Sequence, residues 1–450
     1  MKMAKWLACA LVFVLLLGMT ACQTQTDTDG DTSTPSPSQD GTTSNTQSQT
    51  ATQGSDSNTN QNAPTTNKTT QTTNNAGGDQ MSAQVQAIFD GLTAEERDCA
   101  KYELEKYAQT YWNGEVVYNE SVMFLKEEDG SLPAVSLMYH AEKILAVRDA
   151  KLGTLYKEGV DYALVDGKIQ FLEGSSMPTM SHKAYYLQNE IPNASLPCTG
   201  GGYIAFSEGG NFHKRQVAVT YIHTDKWTGP VPEYKGDKLA KTIQKLKNNE
   251  EITIVLFGDS ISTGANSSGF INFEPRAASW FEMMVEMLKK EYGNDKINFI
   301  NKAVGGTDSA WGVQKIEMDV ASLNPDLVIL AFGMNDGTFK VDPTVFGNNL
   351  QKMMDAVSAV NADCEYILVS TMLANPLAAL QCARQEEYEP VILAMEKNGV
   401  AAANVTEIHR HLMTMKRYWD MTGNNVNHPN DFLARLYAQT LLATLVEGYK

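Results

Sequence analysis

A parallel α/β domain preceded by a β-sandwich is the architecture the sequence predicts, on three observations. Short, almost wholly apolar runs recur through the second half ("ITIVLF" at 252–257, then "DLVILAFG" and "EYILVST"), with amphipathic stretches between them. Strands of that kind are covered on both faces, as in a parallel sheet with helices on either side. From about Val116 to His223 the runs are instead short, alternating and punctuated by turn residues, as in an antiparallel sandwich. A Pro/Gly-bearing connector, "TDKWTGPVPEYKGDK" at 224–238, separates the two regions.

At the start of the chain Lys2 and Lys5 precede "WLACALVFVLLLG", too short an apolar run to span a bilayer comfortably, and then "MTAC". Segment 1–22 resembles a bacterial lipoprotein signal, which implies that Cys22 is lipidated and that the protein is exported and anchored to the membrane at the cell surface. An ordinary secretory signal cleaved nearby is the alternative. Residues 23–80 hold no aromatic residue and no Leu, Ile, Val, Met or Phe. Such a segment buries too little apolar area to offset its ordering entropy, so a disordered polar tether is expected.

The folded part is expected at 81–235 and 236–450. In the first region, "TAEERDCAKYELEKYAQTYW" has Thr93 followed by Glu96, a capping-box signature, and predicts a leading helix. "YALVDGKIQFL" reads as a hairpin turning at Asp166-Gly167, the composition of a type I′ turn. "GGYIAF" and "RQVAVTYIH" read as further strands. In the second region "WFEMMVEMLKKEYG" predicts an amphipathic helix ending at Gly293, and helical patterns follow at about 343–360 and 384–397. A final helix begins near Asp431.

The net charge of -17 argues against a nucleic-acid partner, because a phosphate backbone needs a basic face. Cys99, Cys198, Cys364 and Cys382 are widely spaced and form no CxxC; an exported chain permits disulfides, and free thiols are equally compatible. The membrane contact expected is the lipid anchor alone.

Three polar, glycine-containing stretches follow strands of the second region, where a doubly wound fold places its ligand. "FGDSISTG" puts Ser260 at a strand-to-helix turn. "NKAVGGTDS" offers Gly305 and Gly306 for a tight turn with an exposed N–H, and "FGMNDGT" places the Asn335 amide at a strand end. His428, in "TGNNVNHPND", sits on the loop before the last helix. A nucleophile, a backbone donor, an amide donor and a base are the set that acyl transfer through an oxyanion requires.

These blocks, in this order, resemble the SGNH (GDSL-type) serine hydrolase family over about 250–450. The resemblance implies a flavodoxin-like three-layer fold and a serine esterase. Ser260 would be the nucleophile, His428 the base, and Ser260, Gly306 and Asn335 the oxyanion hole. No metal or organic cofactor is needed for that chemistry. The family usually carries Asp three residues before the histidine; here that position is Asn425. Replacing the orienting Asp of a trypsin-type triad by its amide costs roughly ten-thousand-fold. The candidates to orient His428 are a backbone carbonyl or the Asn425 side chain, as in carbonyl-oriented dyads of some carbohydrate esterases, or Asp420 or Asp431 from outside the motif.

Other residues invite weaker readings. Trp311 could line a substrate pocket or pack in the core, and Tyr185, Tyr186 and Trp227 are sugar platforms or packing residues on the same terms. Asp259, Asp308 and Asp336 read as turn organisers, and His409 and His411 as solvated surface residues rather than metal ligands. The combination of regions resembles two-domain bacterial carbohydrate esterases, which implies an acetylated carbohydrate as substrate. A lysophospholipase or short-chain esterase of the same fold remains open, as does a non-catalytic glycan-binding lipoprotein whose site has decayed.

Overall fold

The structure, a computed structural model, describes residues 81–450, which form one compact unit. The expected leader with Cys22 and the polar segment 23–80 lie outside the described residues.

Strands β1 (Val116–Leu125), β2 (Lys143–Asp149) and β3 (Gln216–Ile222) are the centre of a five-stranded sheet. Its order is Leu155–Tyr156, β2, β3, β1, Thr179–Met180, antiparallel except for the last pair. Two three-stranded antiparallel sheets accompany it. One holds the expected hairpin, in which Val165 pairs with Lys168 around Asp166 (φ 49°) and Gly167 (φ 67°), both left-handed as a type I′ turn requires. The leading helix is shorter than its pattern suggested. The Thr93–Glu96 capping box forms, but the helix ends at Asp98 because Cys99 is left-handed (φ 48°), and a second short helix follows at Leu104–Ala108.

Beyond residue 235 the sheet is parallel. It comprises β4 (Ile252–Gly258), β5 (Ile297–Asn301), β6 (Leu327–Ala331), β7 (Glu365–Val369) and β8 (Val400–Ala403). The strand order is β5-β4-β6-β7-β8, a flavodoxin-like order whose switch point falls between β4 and β6. Every residue of β6, β7 and β8 is buried, which is why these strands, Glu365 at the start of β7 apart, read as unbroken apolar runs.

Alternate strand residues serve two cores. Ile254, Leu256, Ile329 and Ile367 pack with helices α1 (Trp280–Tyr292), α4 (Val405–Met415) and α5 (Asp431–Leu445). Val255, Phe257, Val328 and Leu368 pack on the other face with α2 (Ser309–Asp319) and α3 (Pro343–Ser358). Helix α1 is closed at both ends, by a Ser279–Glu282 capping box and by Gly293 in the left-handed region (φ 61°).

The first of these cores continues across position 235 into Val122, Phe124, Val217 and Val219 of the β-rich region. Helix α5 lies between the parallel sheet and that region, and its residues from Phe432 to Leu445 are all buried. A bulge in β1 between Val117 and Glu120 turns backbone carbonyls toward α5, and the Arg435 guanidinium donates to Tyr118 O and, at 3.0 Å, to Asn119 O. Lys416 and Glu120, both fully buried, form a second cross-connection. Glu120 also accepts from Tyr221 OH at 2.7 Å and from Met138 N–H at 2.9 Å. The four cysteines of the described residues are free thiols.

Candidate active site

Ser260 follows β4 on a tight turn whose N–H groups fold back onto it: Thr263 and Ala265 both donate to Ser260 O at 3.1 Å. Trp280 of α1 anchors the turn by donating to Ile261 O at 2.9 Å. Gly258 has to be glycine, since a Cβ there would lie 2.4 Å from the Ala331 carbonyl oxygen of β6.

The flanking strands deliver the other predicted groups on either side. Val304 N–H donates to Gly258 O, tying the β5 loop to the base of the serine turn, and Gly306 follows in a left-handed turn (φ 77°) that leaves it exposed. On the β6 side, Gly333 takes φ 132°, open only to glycine, and starts the short helix that carries Asn335. Asn335 Nδ2 donates to Thr307 O at 2.8 Å. That bond links the two loops and leaves the second amide hydrogen unused. Among the described residues neither the Ser260 nor the Gly306 N–H has a hydrogen-bond partner.

His428 reaches this point from the loop before α5. Its Nε2 lies 2.9 Å from Ser260 Oγ. The loop is built by its own asparagines: Asn424 Oδ1 accepts from the N–H groups of Val426, Asn427 and His428 at 2.9, 3.1 and 3.1 Å. Asn430 caps α5 by accepting from Phe432 and Leu433 N–H. Ser260 and His428 are 6% and 8% exposed, so the pair is shielded yet reachable.

What faces the other ring nitrogen corrects the sequence reading. Asn425 does not orient His428. It is left-handed (φ 72°), donates to Ala205 O at 2.8 Å and accepts from Tyr185 OH at 3.0 Å. Asp420 is also committed elsewhere, accepting from Met123 N–H at 2.7 Å and from Arg417 N–H at 3.3 Å. Asp431 accepts from Ser268 N–H at 2.7 Å. No backbone carbonyl takes their place among the described residues. His428 Nδ1 faces the Asn266 side-chain amide at 2.7 Å and Glu208 Oε2 at 3.4 Å.

Both residues escaped the sequence reading. Asn266 stands six positions beyond Ser260 in "GDSISTGANS", so a polar residue inside the first block was the available signal. Glu208, in "FSEGGNF" of the β-rich region, gave none; its nearness to His428 is a matter of how the two regions pack. Its side chain is 46% exposed, with Oε1 accepting from Asn424 Nδ2 at 3.2 Å. Burial pushes its carboxyl up, but the adjacent His428 and the hydrogen bonds outweigh this and hold it below the usual carboxylate range.

The remaining acids organise turns, as expected. Asp308 caps α2 by accepting from Trp311 N–H at 2.8 Å, Asp259 accepts from Ile261 N–H at 3.0 Å, and Asp336 accepts from Ser309 N–H at 3.1 Å. Burial pushes Asp259 up to about 7, helped by the Asp336 charge, and pushes Asp336 up to about 6. Trp311 is tilted against Phe257 with ring centroids 5.5 Å apart, so its ring is used in packing. Tyr185 is fully buried and therefore no sugar platform. His409 is not a surface residue either: it is fully buried on α4, accepts from Leu373 N–H at 2.9 Å, and burial lowers it to about 3.

A serine on the β4 turn, a histidine before the last helix, and glycine and asparagine donors on the flanking loops of a flavodoxin-like sheet define an SGNH-type hydrolase domain. Residues 256–436 match the model of the GDSL-like lipase/acylhydrolase family. An arylesterase of Vibrio mimicus is 28% identical over 110 residues, 24% of this chain and 50% of the relative. The chain thus spans about half the length of the curated relative it matches. Among solved structures, the acetylxylan esterase of Geobacillus stearothermophilus aligns at 16% identity over 44% of this chain and 95% of its own, with a TM-score of 0.37. A two-domain esterase active on acetylated mannans aligns at 22% identity over 47% of this chain and 53% of its own, also with a TM-score of 0.37.

Proposed function

We propose that this chain is an exported, lipid-anchored serine esterase that removes O-acetyl groups from polysaccharide or oligosaccharide. The observation that carries the esterase reading is the contact of Ser260 Oγ with His428 Nε2 at 2.9 Å, beside two backbone N–H groups without partners among the described residues. In the reaction Ser260 Oγ attacks the ester carbonyl carbon while Nε2 takes the hydroxyl proton. The carbonyl π electrons move to oxygen, and the N–H groups of Ser260 and Gly306 and the free Asn335 amide hydrogen receive the oxyanion. His428 then protonates the departing alcohol, and water repeats the sequence on the acyl-serine.

The groups around the pair favour a carbohydrate alcohol. Glu208, whose side chain is 46% exposed, and the half-buried Asn335 are both polar, a setting that suits a hydroxyl-rich leaving group better than a long acyl chain. Export and anchoring rest on the 1–22 segment alone.

Two measurements test this. Wild-type protein should be labelled at Ser260 by a fluorophosphonate and Ser260→Ala should not; absence of labelling in folded wild type refutes the esterase reading. Acetate should be released from acetylated xylan or mannan, and p-nitrophenyl esters should be cleaved less well as the acyl chain lengthens. Rates rising with chain length would favour a lipid ester instead.

A further inference from the structure

We propose that Glu208, supplied by the β-rich region, is the positioning acid of His428 and acts together with Asn266, so that the hydrolase site is completed from outside the hydrolase domain. The proposal rests on the esterase reading above.

The groups that face the imidazole are Ser260 and Asp259 from the β4 turn, Asn266 from the loop between β4 and α1 and Glu208 from the β-rich region, while Asn424 holds the His428 backbone N–H and also donates to Glu208. Among the described residues Glu208 is the one acid that lies against Nδ1, the nitrogen opposite the serine. When Nε2 takes the Ser260 proton the ring becomes a cation, and a carboxylate on the far side stabilises it without accepting the proton. The SGNH family usually places that acid three residues before the histidine; here the β-rich region reaches over the strand ends to place it.

Asn266 lies between the two, and its amide has two useful orientations. With its NH2 toward the carboxylate, Oδ1 accepts from Gly209 N–H at 3.2 Å and Nδ2 sits 2.7 Å from Nδ1. That suits a ring whose proton is on Nε2. Turned over, Oδ1 accepts from an Nδ1–H at the same distance, and Nε2 is free to act as base. An acceptor oxygen turned toward Nδ1 also meets the Glu208 carboxylate, so the amide alone does not favour the productive tautomer. The direct attraction between Glu208 and a protonated Nδ1 supplies that bias.

The test uses the full chain and p-nitrophenyl acetate. Glu208→Gln keeps shape and removes charge; kcat should fall about ten- to a hundred-fold, less than for a fully buried triad acid, with KM little changed. The acid limb of the kcat/KM profile should move to lower pH, which a merely structural role would not produce. Asn266→Asp in the Glu208→Gln background puts a carboxylate at the 2.7 Å position and should restore both rate and acid limb. Wild-type rate and profile in Glu208→Gln overturn the proposal. So does a loss of rate with an unmoved acid limb and no rescue, given unchanged thermal melting. A wild type that is folded but neither labelled nor active refutes the esterase reading itself and is thereby told apart.

Discussion

Asn425 donates to the carbonyl of Ala205, 220 positions earlier in the chain, and turns away from the imidazole that it precedes by three residues. The position at which the family keeps its acid has become a tether between the histidine loop and the β-rich region. Asn suits it twice over. It tolerates the left-handed backbone, and its amide offers both the donor that Ala205 needs and the acceptor that Tyr185 needs.

Restoring the family acid should therefore fail. Asn425→Asp would set a buried carboxylate against the Ala205 carbonyl. A loss of about 1–3 kcal/mol in stability is expected, with no gain in kcat. Urea unfolding and steady-state kinetics check this; a faster, equally stable variant would show that the aspartate can reach His428 after all.

The buried Lys416–Glu120 pair should behave as a lock between the two regions. Lys416→Met leaves Glu120 charged, buried and without its cation, at a cost of about 3–5 kcal/mol. Glu120→Gln added to it should recover much of the loss, because the uncompensated charge is gone. A double-mutant cycle by denaturant unfolding measures the coupling; strictly additive effects would mean that the two side chains do not interact.

Asn335→Ala removes both the proposed oxyanion donor and the bond to Thr307 O. A fall of about a hundred- to a thousand-fold in kcat is expected, with fluorophosphonate binding to the folded protein also slowed. An effect confined to KM would assign Asn335 to substrate binding instead.

Asp259 and Asp336 make stability depend on pH. Burial raises Asp259 to about 7 and Asp336 to about 6, against about 3.9 for an unfolded aspartate, so the folded protein binds these protons more tightly. Their contribution is fully present below about pH 3.9 and is lost as pH rises through about 6 and about 7. Asp259→Asn keeps an oxygen for Ile261 N–H and should make the decline of melting temperature over the acid-to-neutral range shallower than in wild type. An unchanged slope would place the proton elsewhere.

Features that depend on neighbours in sequence were legible. Strands β4, β6 and β7 announce themselves because burial on both faces demands continuous apolar runs, and the Asp166-Gly167 turn because few residues accept its backbone. Ser260 and Asn335 were legible because each follows such a strand, and Gly306 and His428 because they complete the ordered set of blocks on the loops after β5 and before α5. Glu208 was not, since only the packing of one sheet system over another brings it to His428. His409 was misjudged for a related reason. A polar residue on an amphipathic helix reads as exposed until the loop that donates to it, at Leu373, is known.

Helix α5, covered on every side, has a consequence for descent. In a flavodoxin-like protein standing alone the terminal helix keeps a face in water and drifts freely. Here Arg435 answers to β1 and the histidine loop answers to Ala205, so changes on one side of residue 235 are selected against the other. The two halves are expected to have been inherited as a pair, and recombinants that join the β-rich part of one lineage to the hydrolase part of another should be lost unless α5 and its preceding loop travel with the β-rich part.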